Sequence, residues 1–395
     1  METNKTVPVE VGDIFRLYGE AFRNKYKLPL QHRKTMFAVQ HCRTNVMGSH
    51  TDTCNKCGHV RITNNSCRNR HCPKCQGLNT AKWVDKLACD LLPVRHFHVV
   101  FTVPSELNRL ILVNRECLYD ILFTAASQSI LTLARDPKHL GAYTGIVAVL
   151  HTWGQNLMEH PHIHTIVPAG GWDEIAQYWK PSRKKFFIHV KVISKVFRGK
   201  FLALLKKAYQ EKQLKFEGEI TPLVLKSNFK KLLDVLYNKD WVVYCKNTFK
   251  NNSHIVKYLG RYSHRVAISN KRIIAVEDDH VLFHWKDYND KCKQKVMKLP
   301  AVEFIRRFLL HVLPKGFCKI RYFGIFAVRN RNTLLPLCRI AFGKFLSKSN
   351  LIGIGWQKLL LLLTGNDLSL CPVCKSGRMI PSEYTNYRKA PPILN

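Results

Sequence analysis

The sequence is short of acidic residues. Only 27 Asp and Glu residues stand against 63 Lys and Arg residues in a chain of 395, which gives a formal net charge of +36. This excess is larger than solubility requires, and the usual partner of such a surface is a polyanion, most often nucleic acid. A membrane surface is the alternative, but no segment has the uninterrupted apolar length of a membrane span. We therefore expect a nucleic-acid partner and no membrane partner.

Other features are absent as well. The N-terminal segment METNKTVPVEVGD has no apolar signal region, so we expect the protein to stay in the cytoplasm. The chain has no internal repeat and no low-complexity tract. Its length and its hydrophobic content of 46% suit a folded protein of two or three domains with a buried core.

The basic residues are unevenly placed. Between residues 180 and 215 twelve Lys and Arg residues stand against one acid. These twelve are Lys180, Arg183, Lys184, Lys185, Lys191, Lys195, Arg198, Lys200, Lys206, Lys207, Lys212 and Lys215. A basic helix face exposed to solvent would give a similar pattern, but this density favours contact with phosphates.

The alternation of strand and helix patterns predicts an α+β protein in three regions. Residues 1–92 hold a helical segment and a cysteine-rich loop, residues 93–300 hold most of the strands, and residues 301–395 are mainly helical with a C-x-x-C pair. A basic helical insertion is expected at 180–236. The predicted strands are 96–104, 144–153, 162–170 and 240–249, followed by a hairpin-rich end of the same sheet near 265–287.

Two closely spaced cysteine pairs predict a structural zinc site. Cys54-x2-Cys57 and Cys72-x2-Cys75 are separated by fourteen residues, which is the spacing of a two-knuckle tetrahedral site. Free or disulfide-bonded cysteines are the alternative, and a cytoplasmic location disfavours the disulfides. We expect one Zn²⁺ bound by these four thiolates.

Further possible ligands are undecided from the sequence. Cys42, His50, Cys67 and His71 could form a second metal site or could simply pack. Cys371-x2-Cys374 is half of a site without identifiable partners. The cysteine-rich loop also contains basic residues, including Arg68 and Arg70, so it is expected to contact DNA.

The stretch HPHIHTIVPAGG, residues 160–171, places two histidines on one face of a predicted strand. Residues i and i+2 share a face, so His162 and His164 present two imidazoles side by side while Ile163 points into the core. Such a pair can bind a divalent cation. An isolated His-x-His is a weak signal, however, and two packed polar residues would look the same.

A pair of tyrosines follows almost a hundred residues downstream. Tyr258 and Tyr262 are four residues apart in NNSHIVKYLGRYSHRVAIS, so a helix would place both phenols on one side. Packing against a core is the usual role of such a pair. Basic residues surround this one, which favours a DNA-facing role: Lys257, Arg261 and Arg265.

The combined motifs resemble a known family. His-hydrophobic-His followed by Tyr-x3-Tyr is the signature of two-tyrosine HUH single-strand nucleases. NSCRNRHCPKCQ, LHTWGQNLMEHPHIHTIVPAGG, YLGRYSHRVAISNKRI and IRYFGIFAVRNR, in this order, look like the IS91-family transposases. The resemblance extends from the cysteine-rich loop to about residue 345. It implies a central antiparallel sheet of the HUH type flanked by helices, with a zinc-binding module before it.

The resemblance also implies a reaction. His162 and His164 would hold Mg²⁺ or Mn²⁺ at the scissile phosphate of single-stranded DNA, with His151 as the first choice of third ligand and Gln155 as the second. The nucleophiles would be Tyr258 and Tyr262, each forming a 5′-phosphotyrosine in rolling-circle-like transposition.

The resemblance leaves two other functions open. A plasmid-type rolling-circle replication initiator would use the same chemistry, and a zinc-dependent DNA-binding protein would use the histidines only for packing. The chain has no G-x4-G-K-[ST] motif, so strand separation is expected to come from a host helicase or the replication machinery. The 180–215 segment and the zinc module are then expected to read the element ends at the bacterial nucleoid. The sequence does not indicate the oligomeric state.

Overall fold

The structure is a computed structural model that describes residues 9–183, 186, 188–249, 260, 267–288, 290–343 and 349–384. Over these residues the fold is α+β with antiparallel sheets, as the sequence predicts. The described α-helices are α1 (Val11–Lys25), α2 (Leu30–Gln40), α3 (Gly77–Asp90), α4 (Asn108–Val113), α5 (Arg115–Arg135), α6 (Val190–Gln210), α7 (Lys226–Asn238), α8 (Ala301–Leu310), α9 (Leu334–Ile340) and α10 (Trp356–Thr364). The described strands are β1 (Ser49–Cys54), β2 (Val60–Asn64), β3 (His96–Thr102), β4 (Gly145–Trp153), β5 (Glu159–Pro168), β6 (Gly170–Asp173), β7 (Tyr178–Pro181), β8 (Val243–Phe249), β9 (Ile273–Glu277), β10 (His280–Asp287), β11 (Lys293–Pro300), β12 (Ile320–Gly324) and β13 (Met379–Tyr384).

A five-stranded antiparallel sheet forms the centre of the fold, in the order β12-β4-β5-β3-β8. The four strands predicted between residues 96 and 249 all lie in it. They are rich in β-branched and aromatic residues and alternate between the two faces, which suits a sheet covered on both sides.

One face of this sheet is apolar and packs against α5 and α6. Phe97, Val99, Phe101 and Ile163 are fully buried there. Phe101 contacts Phe197 of α6 edge to face, with ring centroids 5.0 Å apart. Each such side chain contributes about 1.5–3 kcal/mol by its burial, so this face supplies much of the stability of the sheet.

The opposite face has an apolar part, which packs against α3, and a polar part. Val147, Val149 and Ile166 pack in a cluster with Leu87 of α3, and Val84 of the same helix lies against this cluster. The register places His164 beside Val149 on this face. The polar part of the sheet therefore adjoins the part that α3 covers.

Helix α5 alone among the described helices is long and apolar enough, by length and composition, to cross a membrane. The expectation concerned uninterrupted apolar runs, and Asp120 interrupts this one. Since 67% of its apolar window is buried inside the protein, α5 has the environment of a core helix.

The strands beyond the central sheet differ from the prediction. β9, β10 and β11 form a separate three-stranded sheet rather than the end of the central one. Their apolar side chains pack with those of α1 and α8, where Phe15 and Phe308 meet edge to face at 5.3 Å. This second core gives α1 an apolar surface to cover.

The region after residue 300 supplies strands as well as helices. β12 completes the central sheet beside β4, and β13 joins β1 and β2 in a third sheet. The cysteine-rich segment, predicted as a loop, contains the β1–β2 hairpin.

Candidate active site

Three histidines come together on the polar part of the central sheet. His151 of β4 pairs with His162 of β5, and His164 follows two residues later on the same face. One ring nitrogen from each of the three lies within 4.8 Å of the other two. The rings of His151 and His164 are 4.3 Å apart between centroids. The structure thus brings together the three histidines that the sequence singled out.

The surroundings of the three rings restrict their orientation and leave the site partly open. His151 is 3% exposed and stacks on Trp153 with 4.9 Å between ring centroids. His162 is 9% exposed, and His164 is half-buried. The three imidazoles would bind a cation from the protein side, and the cation would be accessible to solvent from the other side.

Hydrogen bonds indicate which ring nitrogens are available. Nδ1 of His162 donates to the carbonyl of His160 at 2.5 Å, so its Nε2 keeps a lone pair. Nδ1 of His164 lies 2.7 Å from Nε2 of His98 in β3. When His164 is the donor of that bond, its own Nε2 is also available. Such outer hydrogen bonds commonly orient metal-binding histidines.

Burial keeps these imidazoles neutral. Desolvation lowers the pKa of His162 to about 3 and, with Lys246 nearby, that of His98 to about 4. The pKa of His164 lies well below its ordinary value, first because of burial and then because His151 is close. Neutral imidazole is the form that binds metal ions, so His162 and His164 are ready to act as ligands at pH 7.

The donor set suits some cations better than others. Three imidazole nitrogens suit a divalent transition metal, whereas Mg²⁺ prefers oxygen ligands and retains much of its water. Among the described residues this group contains histidines and no carboxylate. The site therefore fits Mn²⁺ better than Mg²⁺.

Gln155 occupies the turn between β4 and β5. Its backbone carbonyl accepts a hydrogen bond from Arg272 at 2.6 Å, which ties this turn to the residues before β9. Its role as an alternative ligand stays a prediction.

The predicted nucleophiles Tyr258 and Tyr262 lie outside the described residues. Gly260, between them in the sequence, is described, and it is buried. A Cβ atom at Gly260 would lie 2.4 Å from Cγ2 of Val84, so the glycine is in close contact with α3. Because α3 packs on the histidine-bearing face, Gly260 lies on the same side of the central sheet as the three histidines.

The predicted four-cysteine zinc site is wrong in its pairing. Cys72 and Cys75 cluster with Cys42 and Cys67, whereas Cys54 and Cys57 cluster with Cys371 and Cys374. In each group the four sulfur atoms lie within 4.8 Å of one another. The physical reason is the sheet β13-β1-β2, which carries Cys54 away from Cys72 and towards the C-terminal pair.

The two histidines considered as further ligands have other partners. Nε2 of His71 accepts a hydrogen bond from the backbone N–H of Leu313 at 3.1 Å. Nδ1 of His50 lies 3.1 Å from the side-chain oxygen of Asn65. Neither belongs to a cysteine cluster.

Two family models and two known proteins match the chain. A family model described as "Putative transposase" matches residues 145–333, and one described as "Transposase zinc-binding domain", of the IS91 type, matches residues 14–103. The chain is 43% identical over 386 residues to "Putative transposase y4qJ" of Sinorhizobium fredii, covering 97% of each chain. It is 29% identical over 309 residues to "Transposase for insertion sequence element IS801" of Pseudomonas savastanoi pv. phaseolicola, covering 77% of this chain and 72% of that one. No solved structure matches it.

The chain belongs to the IS91 family of transposases. DNA is accordingly a partner of this transposase, and its cysteine clusters suit structural Zn²⁺. The matched zinc-binding domain contains the whole of the Cys42, Cys67, Cys72 and Cys75 cluster but only the first half of the other.

The described basic residues of the transposase differ in exposure. Helix α6 buries Ile193, Phe197 and Phe201 and exposes the lysines of its other side. Arg68 is exposed beside Cys67. Arg70 is half-buried and donates to the carbonyl of Phe317 at 2.9 Å, which connects the zinc-binding domain to the segment before β12. The predicted contacts Lys184, Lys185, Lys257, Arg261 and Arg265 lie outside the described residues.

Sequence reasoning missed His98. The signal was present, since HFHVVFT is a predicted strand with histidines at i and i+2, the same pattern as at residues 162–164. What the sequence did not give was the pairing of β3 with β5, which places His98 diagonally beside His164.

Proposed function

We propose that this transposase nicks and rejoins single-stranded DNA through 5′-phosphotyrosine links on Tyr258 and Tyr262. The reaction would serve rolling-circle-like transposition of an insertion sequence. His151, His162 and His164 would hold the divalent cation, Mn²⁺ in preference to Mg²⁺. The observation that carries this proposal is the convergence of three imidazoles on one partly open face of the sheet.

The placement of Gly260 supports the same assignment. The residue between the two tyrosines packs on α3, on the side of the sheet that bears the histidines. A nucleophile and the ligands of a phosphate-binding cation must share one side of the molecule. Gly260 itself lies on that side.

The chemistry follows from the groups available. The cation, when bound, supplies polarisation of the scissile phosphate and stabilises charge that develops on its oxygens. A tyrosine Oη attacks the phosphorus, the bond to the 3′ oxygen breaks, and the released 3′ oxygen takes up a proton as the phenol loses one. Rejoining is the reverse attack by a 3′-hydroxyl on the phosphotyrosine.

Two tyrosines allow two linked cleavages. One tyrosine can hold a cleaved 5′ end while the second attacks the next site, so no 5′ end is released between the steps. The phosphodiester energy is conserved in each tyrosine link. The exchange therefore needs no nucleotide cofactor.

The exposed basic residues of the transposase would bind the DNA strand. Lysines on the solvent side of α6 and Arg68 in the zinc-binding domain are exposed and would contact phosphates. Lys184, Lys185, Lys257, Arg261 and Arg265 are further predicted contacts. Opening of duplex DNA would depend on a host helicase or the replication machinery. We accordingly place this activity in the bacterial cytoplasm, at the nucleoid.

A covalent adduct tests the proposal. The purified transposase is incubated with a labelled single-stranded oligonucleotide carrying the element end and with Mn²⁺, and adducts are separated on denaturing gels. We expect an adduct with the wild type and none with the double variant Tyr258→Phe/Tyr262→Phe. Each single variant shows which phenol acts first.

Tyr244 provides a matched control. It is 56% exposed on β8 and lies in the same row of the sheet as His164, across Val100. Tyr244→Phe should leave the adduct unchanged. An adduct that survives the double change at 258 and 262 but disappears with Tyr244→Phe would contradict the assignment.

The same assay distinguishes the two alternative functions, a non-catalytic DNA-binding protein and a replication initiator. DNA binding without any adduct would identify a non-catalytic DNA-binding protein. Adduct formation confined to a plasmid origin, with none at the element end, would identify a replication initiator.

A further inference from the structure

The second cysteine cluster joins segments from opposite ends of the chain. Cys57 and Cys371 are 314 positions apart in the sequence, yet their sulfur atoms are 3.6 Å apart. The sulfur atoms of Cys54 and Cys374 are 3.8 Å apart. Tetrahedral zinc with Zn–S bonds of 2.3 Å separates its ligand sulfurs by about 3.8 Å, so the spacing matches a zinc site.

The two C-x-x-C turns have the same backbone geometry. Gly58 donates its N–H to the carbonyl of Cys54, and Lys375 donates to the carbonyl of Cys371, both at 3.1 Å. Both donor residues adopt positive φ, 70° for Gly58 and 53° for Lys375. Two turns of the same shape therefore face each other, which is how paired zinc knuckles present four thiolates to one ion.

Backbone donors point at the sulfur atoms. The N–H groups of Lys56 and Cys57 lie 3.4 and 3.5 Å from Sγ of Cys54, and that of Gly377 lies 3.2 Å from Sγ of Cys374. Hydrogen bonds of this kind stabilise thiolates. Four thiolates this close together would repel one another unless a cation lay between them.

The surrounding structure is built for a close approach of the two segments. β1 pairs with β13 from His50 to Cys54, and the N–H of Asn55 donates to the carbonyl of Arg378 at 3.0 Å. A Cβ atom at Gly377 would lie 2.4 Å from Sγ of Cys54, so this position requires glycine.

We infer that Cys54, Cys57, Cys371 and Cys374 bind a second zinc ion, which fastens the C-terminal segment onto the N-terminal zinc-binding domain. Two of the four ligands lie outside residues 14–103, the part of the chain that the zinc-binding family model matches. The ion closes a loop of more than three hundred residues, and cross-links that close long loops restrict the unfolded chain most strongly.

The segment fixed in this way also contacts the helix above the histidines. Lys82 of α3 donates to the carbonyl of Ile354, and the carboxylate of Asp85 accepts from the N–H of Leu351. The zinc ion and these bonds together hold residues 349–384 at two places. The assignment concerns structure and does not depend on the nicking chemistry.

Zinc content tests the inference directly. The full-length protein, purified without added chelator, should contain about two zinc ions per chain, since it has two four-cysteine clusters. Cys371→Ser/Cys374→Ser should reduce this to about one, and so should Cys72→Ser/Cys75→Ser. Cys292→Ser/Cys318→Ser removes two exposed thiols outside the clusters and should leave two. A wild type with one zinc ion, or a Cys371→Ser/Cys374→Ser variant that retains two, would overturn the site.

Alkylation of the native wild type avoids any folding defect of the variants. Cys57 is exposed, as are Cys292 and Cys318. With zinc bound, N-ethylmaleimide should modify Cys292 and Cys318 rapidly and Cys57 at least ten times more slowly; after chelation all three should react. Rapid modification of Cys57 in the zinc-loaded protein would overturn the site. An intact mass showing disulfides in place of the four thiols would do the same.

Discussion

The two faces of the central sheet are built from alternate residues of the same strands and have different roles. Towards α5 and α6, Ile163 and its neighbours are fully buried and apolar. On the opposite face, His162 and His164 flank that isoleucine in the sequence and meet His151. The period of two in a strand lets one short segment stabilise the fold with one set of side chains and bind a ligand with the other. Substitutions at adjacent positions should therefore separate stability from activity.

The largest effect is expected from His164→Ala. Loss of an outer hydrogen-bond partner of a metal ligand already costs about 10–100-fold in affinity or activity, so loss of a ligand should reduce Mn²⁺-dependent adduct formation by more than about 100-fold. The free energy of unfolding should fall by about 1–3 kcal/mol, because the change removes the hydrogen bond between His164 and His98. Adduct yield and urea unfolding measure the two quantities. Normal adduct yield would remove His164 from the site.

Ile163→Ala should have the opposite profile. Removing a fully buried side chain from the packed face should lower the free energy of unfolding by about 2–5 kcal/mol. Adduct formation per folded molecule should stay near the wild-type value because the neighbouring imidazoles remain. Ile163→Val is the matched control and should cost about 0.5–1.5 kcal/mol. A fall in activity without a fall in stability would contradict the division between the faces.

His98→Asn should weaken Mn²⁺ binding by about 10–100-fold while leaving the ligands in place. The reason is its position 2.7 Å from Nδ1 of His164, where it orients the ring without itself belonging to the three-histidine group. A titration of adduct formation against Mn²⁺ measures the change. Excess Mn²⁺ should restore most of the activity, and a loss that no concentration restores would rule out this positioning role.

Gly260→Ala should lower the free energy of unfolding by about 1–3 kcal/mol through overpacking. The added methyl would lie 2.4 Å from Cγ2 of Val84. The double variant Gly260→Ala/Val84→Ala creates room and should recover adduct formation lost in the single variant. Unfolding in urea and adduct yield are both measured. No effect of Gly260→Ala on either would argue against close packing of this residue on α3.

The smallest effect concerns a buried histidine outside the three-histidine group. Burial lowers the pKa of His311 to about 4, and the ring spans Thr152 and the carbonyl of Leu157 at the turn between β4 and β5. Below pH 6.5 the unfolded chain binds a proton that the folded chain does not, so stability falls as the pH falls. Between pH 7 and 6 this histidine should account for about 0.7 kcal/mol. Between pH 7 and 6, the free energy of unfolding of His311→Gln, measured in urea, should fall less than that of the wild type by this amount. Equal falls in the two proteins would contradict the prediction.

The parts of the site that depend on local pattern were predictable. Alternation along one strand placed His162 and His164 on one face, and the family resemblance marked them as ligands and added His151 as the first choice of third ligand. Pairings between distant segments were not predictable, because nothing in the spacing of Cys54 and Cys57 indicates that β1 pairs with β13 rather than folding towards Cys72. The same limit explains why the strands near 265–287 were assigned to the central sheet, since a hairpin has the same pattern in either sheet.

The position of β12 at one edge of the central sheet matters for how the protein can be divided. A fragment ending at residue 300, where the predicted strand-rich region ends, would contain every histidine of the site but would lack Ile320–Gly324. β4 would then present a row of unpaired N–H and C=O groups to solvent along an apolar strand, and such edges recruit strands from other chains. The ribosome also exposes this edge during synthesis until residue 324 has emerged. Shortened copies of the gene should therefore yield insoluble protein rather than smaller active enzymes.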